Sequence, residues 1–131
     1  MSIAALDSLA RFTGPALVDR LNEGVKATVF SSLAAAIDVP AAALAEALGL
    51  SARTLRNRDR LTADETERTY RAYRVLVRAR EVLGSDADAR AWLRTPQRAL
   101  GGRVPLSLLL RDVGAEEVLN VLGAIEDGGY L

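Results

Sequence analysis

Alanine and leucine dominate this chain and constrain its fold more than any other feature of the sequence. The chain has 23 alanines and 21 leucines, a third of its 131 residues, against fourteen valines and isoleucines together. Alanine and leucine favour helices, whereas strands favour β-branched and aromatic residues. No segment keeps up the alternation of apolar and polar residues that marks a half-buried strand. The sequence therefore predicts an all-α fold.

Glycine, proline and capping residues divide the chain into nine predicted helices. Ser51 and Ser85 are placed as N-caps, and Thr62 with Glu65 has the spacing of a capping box. Gly49 is placed to end a helix. The predicted helices cover residues 3–12, 16–22, 26–37, 41–48, 52–58, 63–83, 86–93, 106–110 and 115–127.

Residues 40–58 have the spacing of a helix-turn-helix. Such a motif needs a small residue where its helices cross and a residue that accepts positive φ at its turn, and Ala45 and Gly49 meet these needs. The apolar residues that would fix the two helices are Leu44, Leu48, Leu50 and Leu55. The polar residues of the second helix, which suit phosphates and base edges, are Ser51, Arg53, Thr54, Arg56, Asn57 and Arg58. We predict that these six residues bind DNA, although helical hairpins with a glycine turn also occur as packing elements alone.

Charge is balanced over the whole chain but not along it. The chain has 17 basic and 17 acidic residues. Residues 53–80 contain nine arginines against four acidic residues, whereas residues 112–131 contain five acidic residues and no basic one. The first segment could meet phosphate and the second a basic protein surface. Alternatively, the two segments neutralise each other within or between subunits.

The chain contains neither cysteine nor histidine. This composition excludes disulfides, thiol nucleophiles, Ser-His-Asp triads and zinc sites built on those residues. The pair Gly101-Gly102 is not followed by the Lys-Ser or Lys-Thr of a P-loop. We therefore predict a binding protein and not an enzyme, with no catalytic residue, no metal and no cofactor.

The apolar segments are too short to cross a membrane. The longest uncharged run, residues 27–37, is well below the roughly 20 residues that a bilayer requires. The first charged residue is Asp7, so the amino terminus lacks the basic region of a signal peptide. We expect a cytoplasmic protein without membrane contact.

The carboxy-terminal third carries a second pattern. Its pieces are Trp92-Leu93, Ala99-Leu100-Gly101-Gly102, Pro105-Leu106, Gly114, Val118 and Ile125-Glu126-Asp127-Gly128. Together with the helix-turn-helix pattern, these pieces resemble the Xre/MbcA/ParS family of antitoxins, the partners of RES-domain toxins. The resemblance covers about residues 40–131 and leaves residues 1–39 without a functional assignment.

The resemblance implies an Xre-like helix-turn-helix followed by a small helical toxin-binding domain. We place an N-terminal helical region, with the helix-turn-helix at about residues 40–58, in residues 1–61, and the connector helix with the toxin-binding domain in residues 62–131. Antitoxins of this kind bind a RES toxin that consumes NAD⁺ or transfers parts of it, and commonly repress their own operon. They cover the toxin's active site with their carboxy-terminal end. The corresponding residues of this chain are Glu126, Asp127, Gly128, Gly129, Tyr130 and Leu131.

Elementary chemistry favours the same role for the tail. A site that holds the pyrophosphate of NAD⁺ is lined by arginine or helix N-termini, which attract carboxylates. We expect hydrophobic attachment to come separately, from exposed parts of the helices at residues 106–110 and 118–125. We also expect a homodimer on operator DNA, with the apolar residues of segment 3–37 beside its interface or completing the intramolecular core. A stand-alone helix-turn-helix regulator with a sensing or dimerising carboxy-terminal domain is the alternative.

Overall fold

The computed structural model describes residues 2–128, and these residues form eight α-helices and two short 3-10 helices. The α-helices are α1 (Ala4–Leu9), α2 (Gly14–Glu23), α3 (Ala27–Ile37), α4 (Ala41–Leu48), α5 (Ala52–Asn57), α6 (Ala63–Leu83), α7 (Asp86–Arg94) and α8 (Asp112–Glu126). The 3-10 helices, Arg98–Leu100 and Pro105–Leu108, lie between α7 and α8. Extended pairing in this part of the chain is limited to two isolated bridges, so the predicted all-α class is confirmed.

The chain divides into two compact units, one up to Tyr70 and the other from Arg71. The boundary falls inside α6, so the first part of this helix belongs to the amino-terminal unit and the rest to the carboxy-terminal unit. The domain boundary that the sequence suggests, between residues 61 and 62, stays a prediction.

Helices α3 and α4 supply the apolar centre of the amino-terminal unit. Phe30, Leu33 and Ile37 of α3 and Leu44 and Leu48 of α4 are all fully buried. No single helix in the described part of the chain is long and apolar enough to cross a membrane. Helices α3 and α4 reach the necessary length and apolarity only when taken together, and the chain bends by 103° between them.

The turn from α4 to α5 has the geometry that the sequence predicts. Gly49 adopts the left-handed conformation, with φ 69° and ψ 29°. The amide of Leu50 then donates to the carbonyl of Ala45 at 2.8 Å, and Ala45 is almost completely buried where the helices approach. A side chain at residue 49 would strain this conformation, which is why glycine suits the turn.

The connection from α5 to α6 is held against the segment that precedes α3. The amide of Leu61 donates to the carbonyl of Val25 at 2.8 Å, and the amide of Ala27 donates to the carbonyl of Asp59 at 2.9 Å. The guanidinium of Arg60 donates to the carbonyl of Gly24 at 2.9 Å. A Cβ on Gly24 would lie only 2.4 Å from the Leu61 carbonyl oxygen. Glycine at this position therefore lets the two segments meet.

In the carboxy-terminal unit, α8 packs against the 3-10 helices. Val118 and Leu122 of α8 are fully buried, as is Leu109 after the second 3-10 helix. Helix α8 begins at Asp112, about one turn before the predicted start at residue 115. Gly114 therefore lies inside the helix, where the backbone of Leu108 passes close to it and leaves no room for a side chain. A Cβ on Gly114 would lie 1.9 Å from the Leu108 carbonyl oxygen.

This close approach predicts opposite effects for two glycine substitutions in α8. Gly114→Ala should destabilise the fold by ~1–3 kcal/mol, because the backbone of Leu108 has to move. Gly123→Ala meets nothing within 4 Å and should be neutral or stabilising by up to ~1 kcal/mol, since alanine is the better helix former. Urea unfolding of the two variants measures both effects. Equal stabilities would show that the approach at Gly114 relaxes without cost.

Candidate functional site

The exposed face of α5 is the part of the helix-turn-helix available to DNA. Arg53, Arg56 and Asn57 are exposed and lie three and four residues apart, so they share one face of the helix. Thr54 is half-buried, and its amide donates to the hydroxyl of Ser51 at 3.3 Å. The predicted N-cap at Ser51 is therefore confirmed, and its hydroxyl serves the helix in the free protein.

Arg58 has a different position from the other five predicted DNA-binding residues. Helix α5 ends at Asn57, and Arg58 follows in an extended conformation. Its Nη2 lies 2.6 Å from Oε2 of Glu65. Such motifs usually carry an apolar residue at this position, and here an ion pair to the next helix takes its place. Arg58 thus ties the end of α5 to the start of α6.

The partner of Arg58 is also the capping residue of α6. Oε1 of Glu65 accepts a hydrogen bond from the amide of Thr62 at 2.8 Å, and the hydroxyl of Thr62 accepts one from the amide of Glu65 at 3.2 Å. The predicted capping box is therefore confirmed. Burial raises the pKa of Glu65, but the hydrogen bonds from Thr62 and Arg58 outweigh it, so the pKa lies below its usual 4.5. The carboxylate is held in its charged form.

Most arginines of the basic segment 53–80 are occupied within the protein. Ion pairs join Arg58 to Glu65, Arg71 to Asp112, Arg78 to Glu81 and Glu126, and Arg80 to Asp86. Backbone carbonyls accept hydrogen bonds from Arg60 and Arg68. Arg53, Arg56 and Arg74 are exposed and form no ion pair with any residue that the structure describes. The basic and acidic segments thus neutralise each other in part, and the charge available to a partner is smaller than the sequence suggests.

The end of α8 is fixed by one of these ion pairs. The Glu126 carboxylate accepts two hydrogen bonds from the Arg78 guanidinium, at 2.8 and 2.9 Å. These hydrogen bonds lower the pKa of Glu126 and raise that of Arg78. Asp127 and Gly128 follow, and both are exposed. The predicted toxin-binding residues Gly129, Tyr130 and Leu131 lie outside the described residues.

The carboxy-terminal unit also has an apolar groove of about 500 Å³. Leu110 and Val113 line it with 46% and 69% of their surface exposed. In residues 118–125, Val118 and Leu122 are buried and Leu119 and Ile125 are half-buried, so attachment through the exposed part of this segment stays a prediction. In residues 106–110, Leu110 is the exposed leucine, while Leu106 and Leu109 are buried and Leu108 is half-buried.

Comparisons with known proteins match both units. An antitoxin Xre-like helix-turn-helix domain matches residues 16–74, and the antitoxin Xre/MbcA/ParS C-terminal toxin-binding domain matches residues 78–128. The protein named antitoxin Xre from Yersinia enterocolitica is 36% identical over 122 residues, which span 89% of this chain and 82% of that protein. The chain belongs to the antitoxin Xre family.

Two further proteins named antitoxin Xre are similar. The one from Photorhabdus laumondii is 32% identical over 88% of this chain and 82% of its own length. The one from Pseudomonas putida is 31% identical over 58% of this chain and half of its own length. The resemblance stated from the motifs is therefore confirmed. The match also extends the helix-turn-helix domain of this antitoxin back to residue 16, so α2 and α3, which the sequence left unassigned, belong to that domain.

Sequence reasoning missed Val113 as a residue of this antitoxin's surface. Val113 lies five residues before Val118, which is about 140° around the helix and so off the buried stripe. The available signal was Val113 itself, an apolar residue that does not fall on the stripe of Val118, Leu122 and Ile125. Among the described residues, no group of three or more acidic side chains is arranged to hold a metal ion.

The Glu65 contacts predict a pH-dependent loss of stability in this antitoxin. Because folding lowers the pKa of Glu65, its charged form stabilises the fold above about pH 4.5, and this stabilisation is lost as the pH falls through the lowered pKa. In Glu65→Gln the amide can still cap Thr62 but cannot pair with Arg58. The variant should be less stable than the wild type by ~0.2–1 kcal/mol at pH 7.

Urea unfolding at pH 7 and pH 3 measures this difference, which should shrink at pH 3. Glu67→Gln is the control, since Glu67 is exposed on the same helix and forms no ion pair with a described residue. A Glu65→Gln deficit that is the same at both pH values would contradict the ion-pair explanation.

Proposed function

We propose that this antitoxin neutralises a RES-domain toxin, which consumes NAD⁺, by covering the toxin's active site, and that it also binds operator DNA. The observation that carries the proposal is the order of the two matched domains, a helix-turn-helix before a toxin-binding domain in one short chain. The resemblance of the motifs to the Xre/MbcA/ParS antitoxins supplies the RES class of the partner. Both proposed partners act in the cytoplasm, which is where we place the complex.

The tail after α8 is the part that we assign to the toxin's active site. Glu126 and Asp127 bring carboxylates to the end of the helix, and Tyr130 and Leu131 follow. A pocket for the pyrophosphate of NAD⁺ attracts such groups. Glu126 already binds Arg78, so it meets the toxin only by sharing or exchanging that arginine. In the free protein the same ion pair fixes the point from which the tail starts.

The α5 face is the part that we assign to DNA. Arg53, Arg56 and Asn57 combine charge for phosphates with donors for base edges on one side of a short helix. One helix-turn-helix covers little DNA, and two-fold dimers are the usual way to extend the contact. We propose a homodimer whose interface includes α2. No side chain of this helix is fully buried within the chain, Leu17 and Leu21 are half-buried, and Val18 is exposed.

The DNA assignment predicts the effect of removing Arg56. Arg56→Ala should weaken binding to the DNA upstream of the operon by ~1–3 kcal/mol if Arg56 contacts a base. Arg98→Ala is the matched control, because it removes the same charge from an exposed position in the other unit. Fluorescence anisotropy with labelled upstream DNA at several salt concentrations measures both affinities. Equal affinities of the wild type and Arg56→Ala would exclude α5 as the DNA-reading helix.

The toxin assignment predicts separate effects of the tail on binding and on inhibition. Deleting residues 128–131 should leave a complex that calorimetry detects, because the domain body still attaches. The same deletion should restore NAD⁺ consumption by the toxin, because its pocket is open. A control of equal length, with these four residues replaced by glycine and serine, separates the loss of side chains from the loss of chain.

Either of two results would contradict this division of roles. If the truncated protein still silences the toxin at saturation, the domain body blocks the pocket and the tail does not. If the truncated protein no longer binds, the tail is the anchor.

A further inference from the structure

The groove of the carboxy-terminal unit brings together two of the large apolar side chains that the described part of the chain exposes. Leu110 is 46% and Val113 69% exposed, and both border the same cavity of about 500 Å³. Single exposed apolar residues are ordinary on protein surfaces. A neighbouring pair at the mouth of a groove is instead typical of a surface that binds another molecule.

The groove is built into the fold by contacts that do not depend on a ligand. Gly114 forms part of its wall, and the missing Cβ there lets the Leu108 backbone lie against α8. The Arg71 guanidinium donates to the carbonyls of Leu109 and Leu110 at 3.1 and 2.8 Å. It also lies 2.7 Å from the carboxylate of Asp112. The segment that carries Leu110 and Val113 is therefore held in place before binding, which reduces the entropy lost on association.

The rim of the groove is more basic than acidic. Two exposed basic residues, Arg103 and Arg111, line the groove. Glu117 is the one acidic residue among the residues that line it. Neither arginine forms an ion pair with any residue between 2 and 128. An occupant that matches this rim presents an apolar side chain flanked by carboxylates.

We propose that this groove anchors the partner toxin through a surface segment in which an apolar side chain lies next to carboxylates. The proposal rests on the proposed function. The groove lies wholly within the region matched by the toxin-binding domain, residues 78–128, which favours the toxin over DNA or a second copy of this chain. Attachment at the groove and occlusion by the tail are then two separate parts of neutralisation.

The test uses full-length variants and the toxin encoded beside this antitoxin, with affinity measured by calorimetry. Val113→Asp and Arg111→Glu should each weaken the complex by at least about tenfold, because they place negative charge where the toxin presents its own. Val113→Ile should keep wild-type affinity. Ala43→Asp is the control, since Ala43 is exposed in the first turn of α4 in the other unit and lies outside both α2 and α5. Circular dichroism of each free variant establishes that it folds.

The possible outcomes separate this proposal from the one it rests on. If Val113→Asp and Arg111→Glu bind the toxin as tightly as the wild type, the groove proposal is wrong while neutralisation stands. If the wild type itself neither binds the toxin nor stops NAD⁺ consumption, the proposed function fails and the groove proposal with it. If Val113→Asp instead dissociates a dimer of the free antitoxin in light scattering and leaves toxin affinity unchanged, the groove holds a second copy and our proposal is overturned.

Discussion

Hydrogen bonds from the arginines of α6 hold the functional parts of each unit in place. In the amino-terminal unit, Arg68 donates to the carbonyl of Gly49 at 3.2 Å, at the turn of the helix-turn-helix. In the carboxy-terminal unit, Arg71 holds the backbone that carries Leu110, and Arg78 holds the Glu126 carboxylate at the start of the tail. Within each unit, an arginine of α6 thus reaches a neighbouring segment: the α4–α5 turn in the first unit, and the Leu110 segment and the end of α8 in the second.

These contacts differ in strength because they differ in exposure. The Arg78–Glu126 pair is open to water and screened by salt, so it orients the end of α8 more than it stabilises the fold. The Arg71 side chain is only 12% exposed, and within the described structure its Nε has no hydrogen-bond partner. A buried guanidinium that lost its acceptors would leave an uncompensated charge. The contacts of Arg71 are therefore the less screened of the two sets, while Arg78 mainly orients the end of α8.

The sequence predicts what short-range rules decide. The helices, the caps at Ser51 and Ser85, the capping box at Thr62 and the left-handed Gly49 all depend on residues within a few positions of one another. Which groups the arginine side chains bind depends on tertiary structure, so these contacts could not be predicted in this way. Arg78 and Glu126, for example, are 48 residues apart. Gly114 was misplaced for the same reason, since its need for glycine comes from the Leu108 backbone and not from its own helix.

The contacts of the arginines change how the distribution of charge along the sequence is interpreted. Nine arginines in residues 53–80 suggest a broad basic surface for nucleic acid, but six of them are bound within the protein. On α5, the charges that remain for DNA are Arg53 and Arg56. Two arginines make few phosphate contacts, and the salt-dependent part of DNA affinity scales with the number of such contacts. One α5 face therefore offers few phosphate contacts, which is why the operator complex that we propose contains two subunits.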